Sequence, residues 1–410
     1  MPVQVRQIAF LLFWTAFSFG LTLSPALISI GQAGIALVGI FSLKSDLLGK
    51  NEKWLSIAFI AFFLSGALSY FYSENSAEAI RKLILKLPIL LFPFFIFAFK
   101  IVSTKRIWLI LIFSYSVFLP AAVSVYNYFL NKQLFDILIL ESKPLPIEFG
   151  YGIYHIQFSI LMAISILIGA DFLVKNRSKR DLNWYFLSAL TIFNFIFIHI
   201  LSARTGLLSL YLGAALYMFI SLKKLGGKWL IYGFLSAIAI ILVMTFASSS
   251  LKNRLKNSVE DFKVVWKGQD PNDYSFALRV QAWKNSIDLI KKNPMGVGIG
   301  DAESSLFNNF SSSNPRVLKD NRKNPHFQLL ESGAQSGIIS MILYLLIFAI
   351  SWIKFRQNNL LHSIMLLLFV ASCFESILER QASVAAFAIF AAYALLGNSY
   401  SVNTVDQNTR

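Results

Sequence analysis

Two arginines, a histidine and a pair of glutamates are the residues of this 410-residue sequence whose types and settings suit chemistry. Arg204 lies in Leu201-Ser-Ala-Arg204-Thr-Gly206, between two apolar blocks. A guanidinium costs roughly 2.5–3.5 kcal/mol at a bilayer centre, so it either snorkels to the interface or faces a cavity, where it acts as an anion clamp. Arg279 shares a helical stripe with Phe276 one turn before it and Trp283 one turn after. It either lies over the Trp283 ring as a cation–π partner or offers its planar fork of N–H donors to a phosphate. His326 follows Asn324-Pro325 and opens an apolar stretch. The macrodipole of a helix starting there disfavours imidazolium, which leaves a neutral ring able to accept a proton; the plain alternative is a cap. Glu375, Glu379, Arg380 and Gln381 crowd a short connection between apolar blocks. They either pair among themselves or supply a carboxylate to the same cleft.

Metal and redox chemistry find no pattern to use. His155, His199, His326 and His362 are scattered without ligand spacing, and Cys373 is the one cysteine. The expectation is no metal, no disulfide and no cofactor. His155 and His199 fall inside apolar blocks and read as packed or hydrogen-bonded. Gly296-Val-Gly-Ile-Gly300 has no strand before it and no βαβ pattern after it, so it reads as a tight, backbone-exposed turn and not as a dinucleotide loop.

The elements that hold these residues are membrane helices. The chain is 56% hydrophobic and 14% charged, with a mean hydropathy of +0.61, where soluble domains carry roughly 25% charged residues. Apolar blocks near 8–23, 26–43, 54–72, 83–99, 106–129, 153–174, 184–201, 204–222, 229–248, 327–353, 360–378 and 382–397 predict about twelve transmembrane helices. The first block could mimic a signal peptide, but further apolar blocks follow directly and it reads as the first span. The formal charge of +16 reads as membrane topology, with no nucleic acid implied. Lysines and arginines gather in alternate connections, at 44–53, 100–106, 175–180, 223–228 and 354–356, which places these and both termini in the cytoplasm. The chain then divides into residues 1–248 with nine helices, a large outer segment 249–326, residues 327–397 with three helices, and a cytoplasmic tail 398–410. The outer segment is basic and patterned. Leu251, Leu255, Phe262 and Trp266 recur at helical spacing, as do Phe276, Val280, Trp283, Ile287 and Ile290. Both stretches predict amphipathic helices on the outer membrane face, stopped after the second by Pro294.

Leu201-Ser-Ala-Arg204-Thr-Gly, then Arg279-Val-Gln-Ala-Trp283 leading to Asn293-Pro-Met-Gly-Val-Gly-Ile-Gly300, then Pro325-His326 before an apolar helix with Gly337, resembles the O-antigen ligase and polymerase superfamily over about residues 190–345. The resemblance implies an all-α, polytopic, GT-C-like glycosyltransferase of the bacterial inner membrane, with its active site in the periplasm. Its donor is a glycan on undecaprenyl diphosphate, and its acceptor is lipid A-core or another glycan. By motif, Arg204 and Arg279 would bind the diphosphate and His326 would serve the acceptor. Trp283, Arg322, Glu375 and Glu379 are secondary candidates. Phe327 and Gln335 stand where the family commonly has asparagine and glutamate.

Together these readings describe a metal-independent ligase embedded in membrane lipid. The alternatives are a repeat-unit polymerase, which tends to carry two sizeable arginine-bearing outer loops where here 130–150 is short and acidic, and, behind it, a protein O-oligosaccharyltransferase. A lipid-linked glycan transporter would instead show midplane charges and internal repeats. Reporter fusions test the topology: those at Asn176, Lys224 and Arg356 are expected to report cytoplasm, and those at Asn131 and Asp270 periplasm. A cytoplasmic signal at Asp270 would remove the carrier-facing site.

Overall fold

The computed structural model describes residues 2–43, 48–140, 146–147, 150–178, 180–223, 249–322 and 324–398. Among them all regular structure is helical. A helix satisfies its own backbone donors and acceptors, which an apolar solvent cannot do. The span expected at 229–248 and the tail at 399–410 lie outside the described residues.

In chain order the helices are α1 (Val3–Leu23), α2 (Pro25–Ile40), α3 (Lys50–Ser69), α4 (Ser76–Leu90), α5 (Phe92–Ile101), α6 (Arg106–Leu130), α7 (Lys132–Leu140), α8 (His155–Lys175), α9 (Leu182–Leu201) and α10 (Arg204–Lys223). The outer segment holds α11 (Ser249–Lys267), α12 (Ser275–Lys292) and α13 (Ala302–Ser313), and α14 (Gln328–Lys354), α15 (Asn359–Phe374) and α16 (Gln381–Ala394) close the bundle. Among the described residues, eight segments are long and apolar enough to cross a membrane: α1, α3 with its terminal turn, α4 with α5, α6 with its leading turn, α8, α9, α10 and α14. The architecture is that of an all-α polytopic membrane protein.

Three expected spans come out short. α2 and α15 have 16 residues each and α16 has 14, so at about 1.5 Å per residue they reach less than a hydrocarbon core of about 30 Å. α16 is buried along almost its whole length. Wrapped in protein and not in lipid, it has no thickness to match. The span expected from 83 begins earlier, at Ser76, and this draws Lys82 and Lys86 into the bundle. Leu91 and Pro93 break the run between α4 and α5. The outer segment contains the two expected amphipathic helices and a third, α13, which docks on α12 through Leu306 and Phe310 against Leu289 and Ala282, with Val317 beyond its end joining the contact. The buried face of α12 is Ala277, Ala282, Asn285, Ser286, Leu289 and Ile290. That face is rotated from the stripe read in the sequence, because α13 covers the smaller side chains and leaves Ile287 43% exposed.

Aromatics fill the core. Trp14 packs against Phe99, Phe113, Phe390 and Tyr393 with ring centres 5.5–6.5 Å apart, and its indole N–H donates to the Leu109 carbonyl at 2.9 Å. Polar contacts sort the helix ends into two sets. At one end Gln7 donates to the Ile101 carbonyl, Asn51 to that of Lys354 and Asn358 to that of Ala394. Arg106 there reaches Asp171 at 2.9 Å and the Tyr393 hydroxyl at 3.1 Å. At the other end Tyr151 donates to the Leu21 carbonyl, Gln381 to that of Pro25, and Asp301 accepts from the backbone of Glu74 and Asn75.

The outer segment is locked to the bundle where α14 breaks. Ser336 and Gly337 leave helical geometry, Gly337 with φ +78°. The Pro294–Gly300 turn fills the break: Val297 N–H donates to the Ala334 carbonyl (2.9 Å), Gly298 N–H to that of Gln335 (3.1 Å), and Ile338 N–H to that of Pro294 (3.0 Å). The glycine cluster is therefore a turn, as read, but its backbone is paired and largely buried instead of exposed. A Cβ on Gly296 (φ +81°) would stand 2.6 Å from the Gln335 oxygen and the Gly337 nitrogen, and one on Gly337 would run into Pro294 and Met295. Gly337→Ala combines a left-handed backbone with a clash, so it is expected to destabilise the protein by at least about 2 kcal/mol. A melting curve in detergent checks this, and an unchanged midpoint would refute the docking.

Candidate functional site

Glu375 gathers the site. It caps α15 with extended backbone (φ −145°, ψ 145°), and its two carboxylate oxygens face different partners. Oε1 accepts from Arg279 on α12 at 3.1 Å, and Oε2 stands 3.2 Å from Nδ1 of His326. The Arg279 fork also donates to the Phe374 carbonyl at 2.8 Å. Arg279 thus grips the electronegative C-terminus of α15 and the carboxylate beyond it. Two of its five N–H groups are used, which leaves others for a ligand.

His326 stands at the entrance to α14, as the sequence suggested, one residue ahead of the helix cap. Phe327 is the N-cap, helix geometry starts at Gln328, and His326 stands outside with φ +48°. Its polar neighbour is Glu375. With the proton on Nδ1, the ring donates to Glu375 and presents Nε2 as an acceptor. Trp283 holds the approach to it. The indole N–H donates to the Pro325 carbonyl at 2.8 Å, and the ring meets Phe276 and Phe327 edge-on at 6.1 and 6.0 Å. Stacking of Arg279 on Trp283, one reading of the sequence, gives way to these contacts.

Arg204 opens α10 after a left-handed Ser202 (φ +51°), whose hydroxyl donates to the His199 carbonyl at 2.6 Å. Its guanidinium stands 3.9 Å from Asp261 on α11 and its side chain is 42% exposed, so it is loosely held. Asp261 also accepts from Phe276 N–H at 3.2 Å, which joins α11 to the start of α12. Sequence reasoning passed over Asp261; the signal was the adjacent acids Glu260 and Asp261, set beside Phe262 on an otherwise basic helix.

Arg204 and Arg279 face one cavity of about 750 Å³, whose wall also includes Tyr154, His155, Asp261, Tyr274, Phe276 and Phe374. It is large enough for a drug-sized ligand or more. His326 is not part of that wall. It stands behind the Arg279–Glu375 pair with a third of its side chain exposed. The remaining candidates lie elsewhere. Arg322 braces the outer segment, over the Phe307 ring at 5.5 Å and hydrogen-bonded to Ser311 at 2.7 Å. Glu379 is drawn to Lys82 and Lys86. The cluster 375–381 does not pair internally: Arg380 lies over Tyr154 at 5.0 Å and Gln381 bonds Ser29 at 2.8 Å. His199 is hydrogen-bonded between the Phe195 carbonyl and the Tyr211 hydroxyl, as a packed histidine should be.

Residues 187–345 match the family model described as O-antigen ligase; no curated protein sequence matches the chain. The matched stretch contains Arg204, Arg279, Trp283 and His326, while Glu375, a secondary candidate from the sequence, lies beyond it and is joined to the site by geometry. Trp283→Phe keeps the ring packing but strands the Pro325 carbonyl. It is expected to lower stability by about 1–3 kcal/mol, read as a fall in melting temperature with the fold retained by circular dichroism.

Proposed function

We propose that this chain, a member of the O-antigen ligase superfamily, is a metal-independent ligase that moves glycan from undecaprenyl diphosphate to lipid A-core or a similar acceptor on the periplasmic face of the inner membrane. The observation that carries the reading is the Glu375 carboxylate, shared between Arg279 on the cavity wall and His326 behind it. The carrier diphosphate occupies the cavity against Arg204 and Arg279. The acceptor hydroxyl approaches from the exposed side of His326, whose Nε2 takes its proton as the oxygen bonds the anomeric carbon. The bond from that carbon to the diphosphate breaks, and undecaprenyl diphosphate leaves as an anion. Charge building on the leaving group meets cations already in place, a term worth roughly 3–4 kcal/mol per donor in comparable sites. Glu375 holds the imidazole in the tautomer that accepts, and stabilises it once protonated.

The basic connections at 50–53, 100–106, 175–178 and 354–356 fall at the end of the bundle opposite the cavity. This supports the periplasmic placement of the site through the positive-inside rule. A repeat-unit polymerase would use the same chemistry with a lipid-linked acceptor. Polysaccharide extracted from a deletion strain separates the two: lipid A-core without long chains, beside accumulated carrier-linked polymer, is expected for a ligase, and single repeat units for a polymerase.

In detergent with EDTA present, Arg279→Lys is expected to weaken binding of labelled undecaprenyl diphosphate and to slow turnover, because it keeps charge but loses the fork. His326→Ala is expected to keep carrier binding and to lose turnover by roughly 10²–10⁴-fold. Near wild-type transfer by both folded variants, or transfer by the wild type only after magnesium is restored, would defeat the mechanism.

A further inference from the structure

The connection that carries Glu375 is held from inside the bundle by buried charge. Glu379, at its far side, lies 2.8 Å from Nζ of Lys86 and 3.7 Å from Nζ of Lys82, two residues of α4 whose side chains are only 7% and 5% exposed. Lys86 also donates to Oε1 of Gln335 at 2.6 Å, and Gln335 Nε2 donates to Glu331 at 3.1 Å. The network then returns to the connection. Ser376 Oγ reaches Glu331 at 3.4 Å, and the Leu378 N–H donates to the Gln328 side chain at 2.7 Å. Gln328, Glu331 and Gln335 all belong to the first half of α14, the segment that His326 precedes by two residues. One polar network therefore ties α4 to the two segments that carry Glu375 and His326.

A buried ion pair adds little net stability over an apolar packing of equal volume, because desolvation consumes most of the Coulomb gain. What such a cluster does supply is fixed geometry, since each charge accepts few arrangements of its partners. We infer that Lys82, Lys86 and Glu379 are positioning residues for the Glu375–His326 pair: they hold the 375–380 connection at the height and angle that bring Oε2 of Glu375 to the imidazole. None of the three touches substrate. The inference rests on the transfer reaction proposed above, in which that pair handles the acceptor proton.

The test uses the full chain in lipid nanodiscs, with an undecaprenyl diphosphate-linked glycan as donor. Lys86→Met is expected to lower kcat on the order of tenfold to a hundredfold, the effect of misplacing a catalytic group by about 1 Å, while KM for the donor stays within about twofold. Lys86→Arg is expected to restore most of the loss. Cys373, two residues ahead of Glu375 and half-buried, reports on the connection directly: its alkylation by N-ethylmaleimide is expected to quicken severalfold in Lys86→Met and to return towards wild type in Lys86→Arg. Should Lys86→Met not accumulate, Glu379→Gln keeps the side-chain shape, removes the charge and is read the same way. A variant that melts lower yet keeps wild-type kcat per folded molecule would make the cluster purely structural and overturn the inference. So would a loss of kcat with unchanged Cys373 alkylation. If the wild type transfers no glycan at all, the proposed reaction fails, and the alkylation rates alone then decide whether the cluster sets the connection.

Discussion

A polar group carried into an apolar bundle must bring its partner with it, and this constraint organises the molecule. Its plainest expression is the break in α14. Where Ser336 and Gly337 leave the helix, carbonyls and an N–H lose their intrahelical partners among buried residues. The Pro294–Gly300 turn supplies replacements, and it can approach closely enough only because Gly296 carries no Cβ towards Gln335 and Gly337, and Gly337 none towards Pro294 and Met295. That junction also anchors the outer segment. α12 leads into the turn, so the position of Arg279 over α15 follows from how the break is satisfied.

Ionised groups obey the same rule. Arg106 and Asp171 close on each other at one end of the bundle, with Tyr393 and Tyr217 taking further atoms. At the other end Lys82 and Lys86 meet Glu379. Glu375 differs in that one partner, Arg279, lines the cavity while the other, His326, stands behind it. One oxygen serves a fork of the kind that binds phosphate and the other serves an imidazole. A carboxylate so placed joins a guanidinium to an imidazole across two helices, and each of those groups keeps capacity for a further bond.

The outer segment is built less like a lid laid on a membrane than like a small domain. Asn285 and Asn309 interlock α12 with α13, and two minor apolar cores sit beneath them. Phe262 and Trp266 nevertheless remain exposed on α11, 56% and 82%, stacked on each other. Half of the amphipathic reading thus describes contact with the segment's own helices, and half describes an apolar surface left uncovered.

Much of this was legible in the residues themselves. Apolar run length marks a polytopic helical chain because spanning length is set by bilayer thickness, and the alternation of basic connections tells the two ends apart. Arg204, Arg279 and His326 stand out because a guanidinium beside lipid, or a histidine after Asn-Pro ahead of an apolar run, is a poor choice for packing alone. Three things were decided only in three dimensions. Which partner each charge takes depends on helices far apart in sequence: Glu375 is 96 residues from Arg279 and 49 from His326, a separation on which local periodicity carries no information. The burial of Lys82 and Lys86 was hidden because a lysine near a helix end looks the same whether it snorkels outward or turns in towards a carboxylate. The break at Gly337 was hidden because an isolated glycine in an apolar helix is common, and only the turn that docks against it explains why a side chain has no room there.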